Sequence, residues 1–162
     1  MANMTVKEVI ERLNLEPLPV EGGYFRQIHE DAQKVPTQTL GPFAKARASL
    51  FTVIYYMVTP SSFSALHKLT GSEVWSWIAG GSLEQVIVFP SGVVEKRILG
   101  FGTSGAPVSV IPPRCWQGTR LIDGEYGLCT VMMSPGYDEG DFTLADSNFI
   151  EKYPQLREFL AP

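Results

Sequence analysis

Histidine and cysteine are scarce in this chain, with two of each in 162 residues. Two cysteines permit one disulfide at most, and in a chain with no secretory features Cys115 and Cys129 are expected to be free and buried, with a disulfide the alternative. Two histidines, His29 and His67, leave little material for a metal centre that needs several imidazoles. Concentrated positive charge is also missing: 13 Lys and Arg against 17 Asp and Glu give a formal charge of −4. That balance disfavours nucleic acid or an anionic membrane as the main partner, although a small anion would need only one local cation. No apolar run approaches the roughly 20 residues that span a bilayer, and the opening stretch "MANMTVKEVIERLNLEP" has no signal-peptide core, so a cytoplasmic location is expected. Neither a glycine-rich phosphate-binding helix start nor a G-x-S-x-G elbow occurs. With no interior linker, repeat or low-complexity segment, residues 1–162 are expected to form one domain.

What the chain does have is β pattern. Hydrophobic residues make up 44% and charged residues 19%, a globular composition. A short helix is predicted at the start, where Thr5 and Glu8 have capping-box spacing and Val6, Val9, Ile10 and Leu13 supply an apolar face. Beyond Pro17 and Pro19 the aromatic and β-branched runs follow one another with turn residues every 8–12 positions. They include "GGYFRQIHE", "SLFTVIYYMVT", "SALHKL", "EVWSWIAG", "SLEQVIVFP", "VVEKRILG", "APVSVIPP", "RCWQGTRLI" and "YGLCTVMMSP". Short strands in this rhythm, with no long helix between them, predict an all-β sandwich or barrel. The tail "ADSNFIEKYPQLREFLAP" is predicted to form one or two helical turns broken at Pro154 and packed outside the β body.

The chemistry-bearing stretch is "SALHKLTGSEVWSWIAGG", residues 64–81. His67 and Glu73 admit three readings: two metal ligands, a proton-transfer pair, or hydrogen-bonding wall residues of a pocket. Trp75 and Trp77 share a strand face with Glu73 and suit either stacking on a ligand or packing in the core. In "EGGYFRQ", adjacent glycines mark unusual backbone angles or a close approach. Tyr24 and Arg26 share one face of the strand that follows, with Phe25 and Gln27 on the other. If the first face points inward, Arg26 offers a guanidinium to a carboxylate or phosphate; in the opposite phase it lies at a surface or interface. Glu21 is a candidate pocket carboxylate or ion-pair partner, and Tyr24, Tyr55 and Tyr56 are candidate acids. "SPGYDEGDF" reads as a solvated loop.

The ordered motifs "EGGYFRQ", "YY", "LHKL…SEVW…AGG", "G…ILG", "VIPPRCWQG" and "SPGYDEGDF", from about Val20 to Phe142, resemble the Cupin_5-type branch of the cupin superfamily, formerly grouped as a domain of unknown function. The resemblance implies a double-stranded β-helix, or jelly roll, with short helical segments at each end, a polar pocket between the sheets and a homodimer, formed by packing or exchange of the N-terminal strand. Laid on a metal cupin's motifs, His67 and Glu73 keep their usual types. Ala65 stands at the other histidine of the first motif, Arg114 at a usual glycine of the second, and Gln117 at its histidine. No cofactor is therefore expected. A degenerate metal site on His67, Glu73 and Gln117 is the weaker alternative, and loose divalent-ion binding through Glu73 and a ligand phosphate stays open.

The function expected is binding of a small polar or phosphorylated metabolite (a sugar, nucleotide or nucleotide-sugar). A metal-independent isomerisation or epimerisation would use His67 as base, Glu73 to orient, Tyr24 as the returning acid, and Arg26 or Gln117 to position an anion or carbonyl. Tyr55, Trp75, Trp77 and Glu21 complete the candidate ligand-binding set. A non-catalytic binding module is the competing class.

Overall fold

The Thr5–Glu8 pair starts the structure as its spacing predicts. In the computed structural model, which describes residues 4–102 and 104–160, the Thr5 side chain accepts from the Glu8 backbone while the Glu8 carboxylate accepts from the Thr5 backbone N–H. This closes a capping box at the head of α1 (Val6–Leu13). Val9, Ile10 and Leu13 then pack with Leu15, Met57 and Leu128, so the helix lies across the outer face of a sheet.

Thirteen strands follow among the described residues. They are β1 (Glu16–Pro17), β2 (Tyr24–Glu30), β3 (Lys34–Pro36), β4 (Arg47–Ser49), β5 (Thr52–Val58), β6 (Ser64–Leu69), β7 (Ser72–Gly80), β8 (Leu83–Val88), β9 (Val94–Leu99), β10 (Val108–Ile111), β11 (Trp116–Leu121), β12 (Gly127–Ser134) and β13 (Phe142–Leu144). One sheet has six strands in the order β1-β2-β5-β12-β7-β10, and its partner has five in the order β13-β6-β11-β8-β9. All pairings between these strands are antiparallel. Sequence neighbours repeatedly fall in opposite sheets, β5 and β6 or β7 and β8 for instance, as in a jelly roll. The core between the sheets is built from inward side chains of both, including Tyr56, Val58, Trp75, Leu83, Ile87, Leu99 and Val131. Cys115 and Cys129 are free and buried in the same layer, and burial pushes the Cys129 thiol up to about 12.

The tail forms α2 (Ser147–Lys152) and a 3-10 turn (Pro154–Phe159). Leu156 and Phe159 are fully buried against Leu66, Val86 and Val88 on the outside of the five-stranded sheet. Each sheet is thus covered outside by one terminal segment. The remaining outer face of the six-stranded sheet carries the cross-strand row Val53–Met132–Val74–Val110, with Met132 and Val110 exposed. Among the described residues no helix is long and apolar enough to cross a membrane.

The helix also decides the phase of β2. Tyr24 and Tyr55 pack beneath α1, which fixes the Tyr24–Arg26 face outward and turns Phe25 and Gln27 inward. Arg26 pairs across the ladder with Tyr55, and Phe25 pairs with the buried Tyr56. The pocket roles expected for Tyr24, Arg26 and Tyr55 are therefore corrected: apolar burial under α1 outweighs placing a guanidinium between the sheets.

Candidate functional site

Between the sheets lies a cavity of about 180 Å³. Its wall includes Glu21, Phe25, Gln27, Tyr56, Glu73 and Trp75, with Tyr137 at the rim. Among the described residues no Lys or Arg contributes to that wall, so its formal charge comes from two carboxylates.

Glu21 reaches the cavity because the chain before β2 is forced through a tight, unusual path. Val20, Gly22 and Gly23 have φ of 71°, 96° and 72°. A Cβ on Gly22 would lie 2.4 Å from the Phe63 carbonyl oxygen, and one on Gly23 would lie 2.5 Å from the Tyr56 hydroxyl. Only glycine fits both the angle and the space. The path is tied down by Tyr56 Oη donating to the Gly22 carbonyl at 2.8 Å and by the Ala65 N–H donating to the Glu21 carbonyl at 2.9 Å. The "EGG" motif is thus a close-approach device that delivers a carboxylate.

On the facing sheet a bulge rearranges β6. Gln117 opposes His67, yet Thr119 opposes Ser64, so three steps on β6 match two on β11. As a result Ser64 and His67 converge on one atom. Ser64 Oγ donates to Glu21 Oε1 at 2.8 Å, and His67 Nδ1 lies 3.8 Å from the same oxygen. His67 Nδ1 is also 2.8 Å from the Ala65 carbonyl oxygen. A carbonyl only accepts, so Nδ1 carries the proton, and the neutral ring keeps Nε2 as its free lone pair. The ring stacks on Phe142 with centroids 5.3 Å apart and is only 1% exposed.

Glu73 comes from the start of β7, opposite Met133 and Ile111. Gln117 Nε2 donates to Glu73 Oε2. Burial pushes the Glu73 carboxyl from 4.5 up to about 7; the nearby His67 opposes this, the Glu21 charge adds to it, and Trp75 favours the ionised form. Near neutrality Glu73 is therefore divided between acid and carboxylate. Tyr56 is fully desolvated, and burial and then Glu21 push its hydroxyl well above 10, which keeps it a hydrogen-bond donor. The Tyr56 ring meets Trp75 edge-on at 5.2 Å. Among the described residues Gln117 Oε1 is buried without a hydrogen-bond partner, and Trp75 Nε1 closes no hydrogen bond of good geometry although it lies near enough to the Glu73 carboxyl to favour its ionised form.

The structure thus brings together four of the residues expected from sequence: Glu21, His67, Glu73 and Gln117, with Trp75 in the wall. His67 does not itself line the cavity; it stands behind Glu21 and Glu73. Trp77 lies two residues beyond Trp75 along β7, about 7 Å at roughly 3.3 Å per residue, and does not line the cavity. Its Nε1 donates to the Gly81 carbonyl at 3.1 Å, and it borders an outer groove with Met4 and Glu125. Its expected ligand contact is corrected, since the strand carries it beyond the wall formed by Glu73 and Trp75 and its Nε1 is committed to Gly81. His29 is also remote, 4.0 Å from Asp31 and packed on Phe51.

Sequence reasoning passed over Gln27, Ser64 and Tyr137. The inward phase of Gln27 follows from pairing Phe25 with Tyr56, but the pairing is not visible in sequence. Ser64 is hidden by the bulge. Tyr137 belongs to the loop read as solvated, where its N–H donates to Thr52 Oγ1 at 3.0 Å.

Metal-binding cupins would place a cation at the His67–Glu73–Gln117 position, but the donors here do not fit one. Ala65 offers no ligand atom and Gln117 presents its NH₂ rather than its oxygen to Glu73, so only the His67 Nε2 lone pair and the Glu73 carboxylate remain as donors. Among the described residues no three His, Cys, Asp or Glu side chains are grouped to hold an ion.

Comparison with known proteins agrees with the fold. A protein from Leishmania major superposes with a TM-score of 0.87 at 26% identity, covering 98% of this chain and 100% of that one. Protein SO0799 from Shewanella oneidensis gives 0.84 at 26%, covering 99% of each. The uncharacterized protein YML079W of Saccharomyces cerevisiae is 25% identical over 154 residues, 88% of this chain and 74% of that protein. Bacillus subtilis oxalate decarboxylase shares the fold at a TM-score of 0.55 and 16% identity, over 89% of this chain and 33% of the enzyme. The family described as "Cupin superfamily (DUF985)" matches residues 7–145. With that match across most of its length, the chain belongs to the DUF985 branch of the Cupin superfamily.

Proposed function

We propose that the cavity between the sheets binds a small, uncharged, hydroxyl-bearing metabolite of about monosaccharide size, and that Glu73 and Glu21 serve as acid and base in an isomerisation or epimerisation. The observation that carries this reading is Glu73, a buried carboxyl in the cavity wall whose pKa of about 7 suits proton transfer near neutral pH. Glu21 faces the same space with Ser64 donating to it and His67 beside it. In the proposed reaction a Glu21 oxygen removes a proton from a carbon next to a carbonyl, and protonated Glu73 returns one to the enediolate. His67 and Ser64 position Glu21. His67 is therefore a positioning residue here rather than the base, because the carboxylates stand between it and the cavity.

The lining also narrows the ligand. Two carboxylates with no cation in the wall disfavour a phosphate, and about 180 Å³ falls below the roughly 300 Å³ at which pockets for drug-sized ligands begin. Both points favour a free sugar or polyol over a nucleotide-sugar. Trp75, Tyr56 and Phe25 line the cavity with rings, and Trp75 Nε1 would gain a good partner from a ligand hydroxyl.

The test is incubation with a panel of aldoses, ketoses and their epimers in deuterated water, followed by proton NMR. Deuterium incorporation at one carbon, lost in Glu21→Gln and Glu73→Gln, supports the enzyme reading. Saturable binding without exchange would assign the cavity to a non-catalytic binding module. A homodimer joined through the exposed Val53–Met132–Val74–Val110 row is the proposed assembly, since β2 is already paired within its own sheet; sedimentation of Val110→Lys against the parent chain tests it.

A further inference from the structure

A second concave surface, of about 670 Å³, lies outside the five-stranded sheet, between that sheet and the C-terminal helix. Its chemistry is the reverse of the cavity's. Lys68, Arg114 and Lys152 line it together with Trp116, Phe149 and Tyr153. The three rings form a ladder, with Trp116 to Phe149 at 4.6 Å and Phe149 to Tyr153 at 4.8 Å between centroids. Lys68 Nζ sits 4.8 Å over Trp116 and Lys152 Nζ 5.5 Å over Tyr153. Among the described residues no carboxylate pairs with any of the three cations. The groove's one carboxylate, Asp141, is buried and accepts from the Ala44 N–H at 2.8 Å. In a chain of net charge −4, three cations without a carboxylate partner in one groove are a local reversal of sign.

Arg114 adds an independent observation. Its backbone is left-handed, with φ of 64°, and its N–H donates to the Leu69 carbonyl at 2.9 Å. A residue with a Cβ is disfavoured there relative to glycine. Among the described residues the exposed guanidinium has no hydrogen bond or ion pair that offsets this preference. Its charge at the groove is therefore available to an external anion.

We propose that this groove binds a phosphorylated compound with a planar ring, of the nucleoside phosphate class. The ring stacks on the Trp116–Phe149–Tyr153 ladder, and the phosphates lie among Arg114, Lys68 and Lys152. The volume lies within the 300–1,000 Å³ typical of small-molecule sites. The site is separate from the cavity, on the opposite face of β6 and β11.

The experiment is calorimetric titration with ADP, adenosine and pyrophosphate at low and moderate salt, on the parent chain, Arg114→Gly, Lys152→Ala and the double variant, with thermal melts of each. The expected result is ADP binding that weakens with salt and exceeds that of both fragments. Each substitution should weaken it about tenfold. Arg114→Gly should melt no lower than the parent, because glycine relieves the left-handed backbone. Glu21→Gln, in the cavity, should leave ADP affinity unchanged. The proposal is overturned if neither ADP nor pyrophosphate binds saturably, if the double variant binds as well as the parent, or if Glu21→Gln abolishes binding. Equal affinity for pyrophosphate and ADP would overturn the stacking role of the rings.

Discussion

Glu21 Oε1 lies 3.8 Å from His67 Nδ1, and that nitrogen is 2.8 Å from the Ala65 carbonyl oxygen. The backbone carbonyl therefore takes the ring's proton ahead of the carboxylate, and His67 holds the Nδ1–H tautomer when neutral. Long-range nitrogen–proton correlation spectra should show the Nδ1–H pattern for His67 in the neutral state. An Nε2–H pattern would sink the positioning role assigned to this ring.

Glu73 should leave a mark on stability against pH. Its folded pKa, about 7, lies above the ordinary 4.5, so the folded state holds a proton that the unfolded chain releases. Its contribution is full below about pH 4.5 and is lost as pH rises through 7. The 2.5-unit gap corresponds to about 3 kcal/mol at 1.36 kcal/mol per unit. Glu73→Gln keeps a neutral side chain at every pH. Relative to the parent it should gain stability progressively from pH 5 to pH 8, by up to about 3 kcal/mol. Urea denaturation at both pH values measures this, and parallel curves for the two proteins would contradict it.

Gly23→Ala should destabilise the fold by at least about 2 kcal/mol, through the left-handed backbone and a clash with the Tyr56 hydroxyl at 2.5 Å. Because Tyr56 Oη anchors the Gly22 carbonyl, ligand binding in the cavity should weaken beyond the stability loss. A variant melting like the parent would show that this approach is not as tight as described.

Val20 makes the opposite prediction. It is β-branched, 68% exposed and at φ 71°, so it carries backbone strain without compensating burial. Val20→Asn should raise stability by about 1 kcal/mol, since asparagine tolerates the left-handed region. A thermal melt with no upward shift would argue against strain at this turn.

How far the site could be read from sequence followed the regularity of the backbone. The helix at Val6–Leu13 and the strand rhythm rest on local periodicity, which is visible in a sequence, while the placement of His67 and Glu73 together rests on the motif resemblance. The phase of β2 was not, because both faces of "YFRQ" offer one aromatic and one polar residue. Only packing beneath α1 distinguishes them. Ser64 was hidden for a different reason: strict alternation puts it on the face opposite His67, and the bulge between Ser64 and His67 overrides alternation. Whether Glu21 lines a pocket or pairs with a neighbouring cation is not legible in sequence, since its direction depends on three positive φ angles around it.

The two rungs Trp116–Lys68 and Gln117–His67 are successive cross-strand pairs, one facing out to the groove and the next facing in behind the cavity. At this point the protein is a partition one backbone thick, cationic on one side and acidic on the other. By linkage, any effect of a groove ligand on cavity affinity must be matched by an equal effect in the other direction.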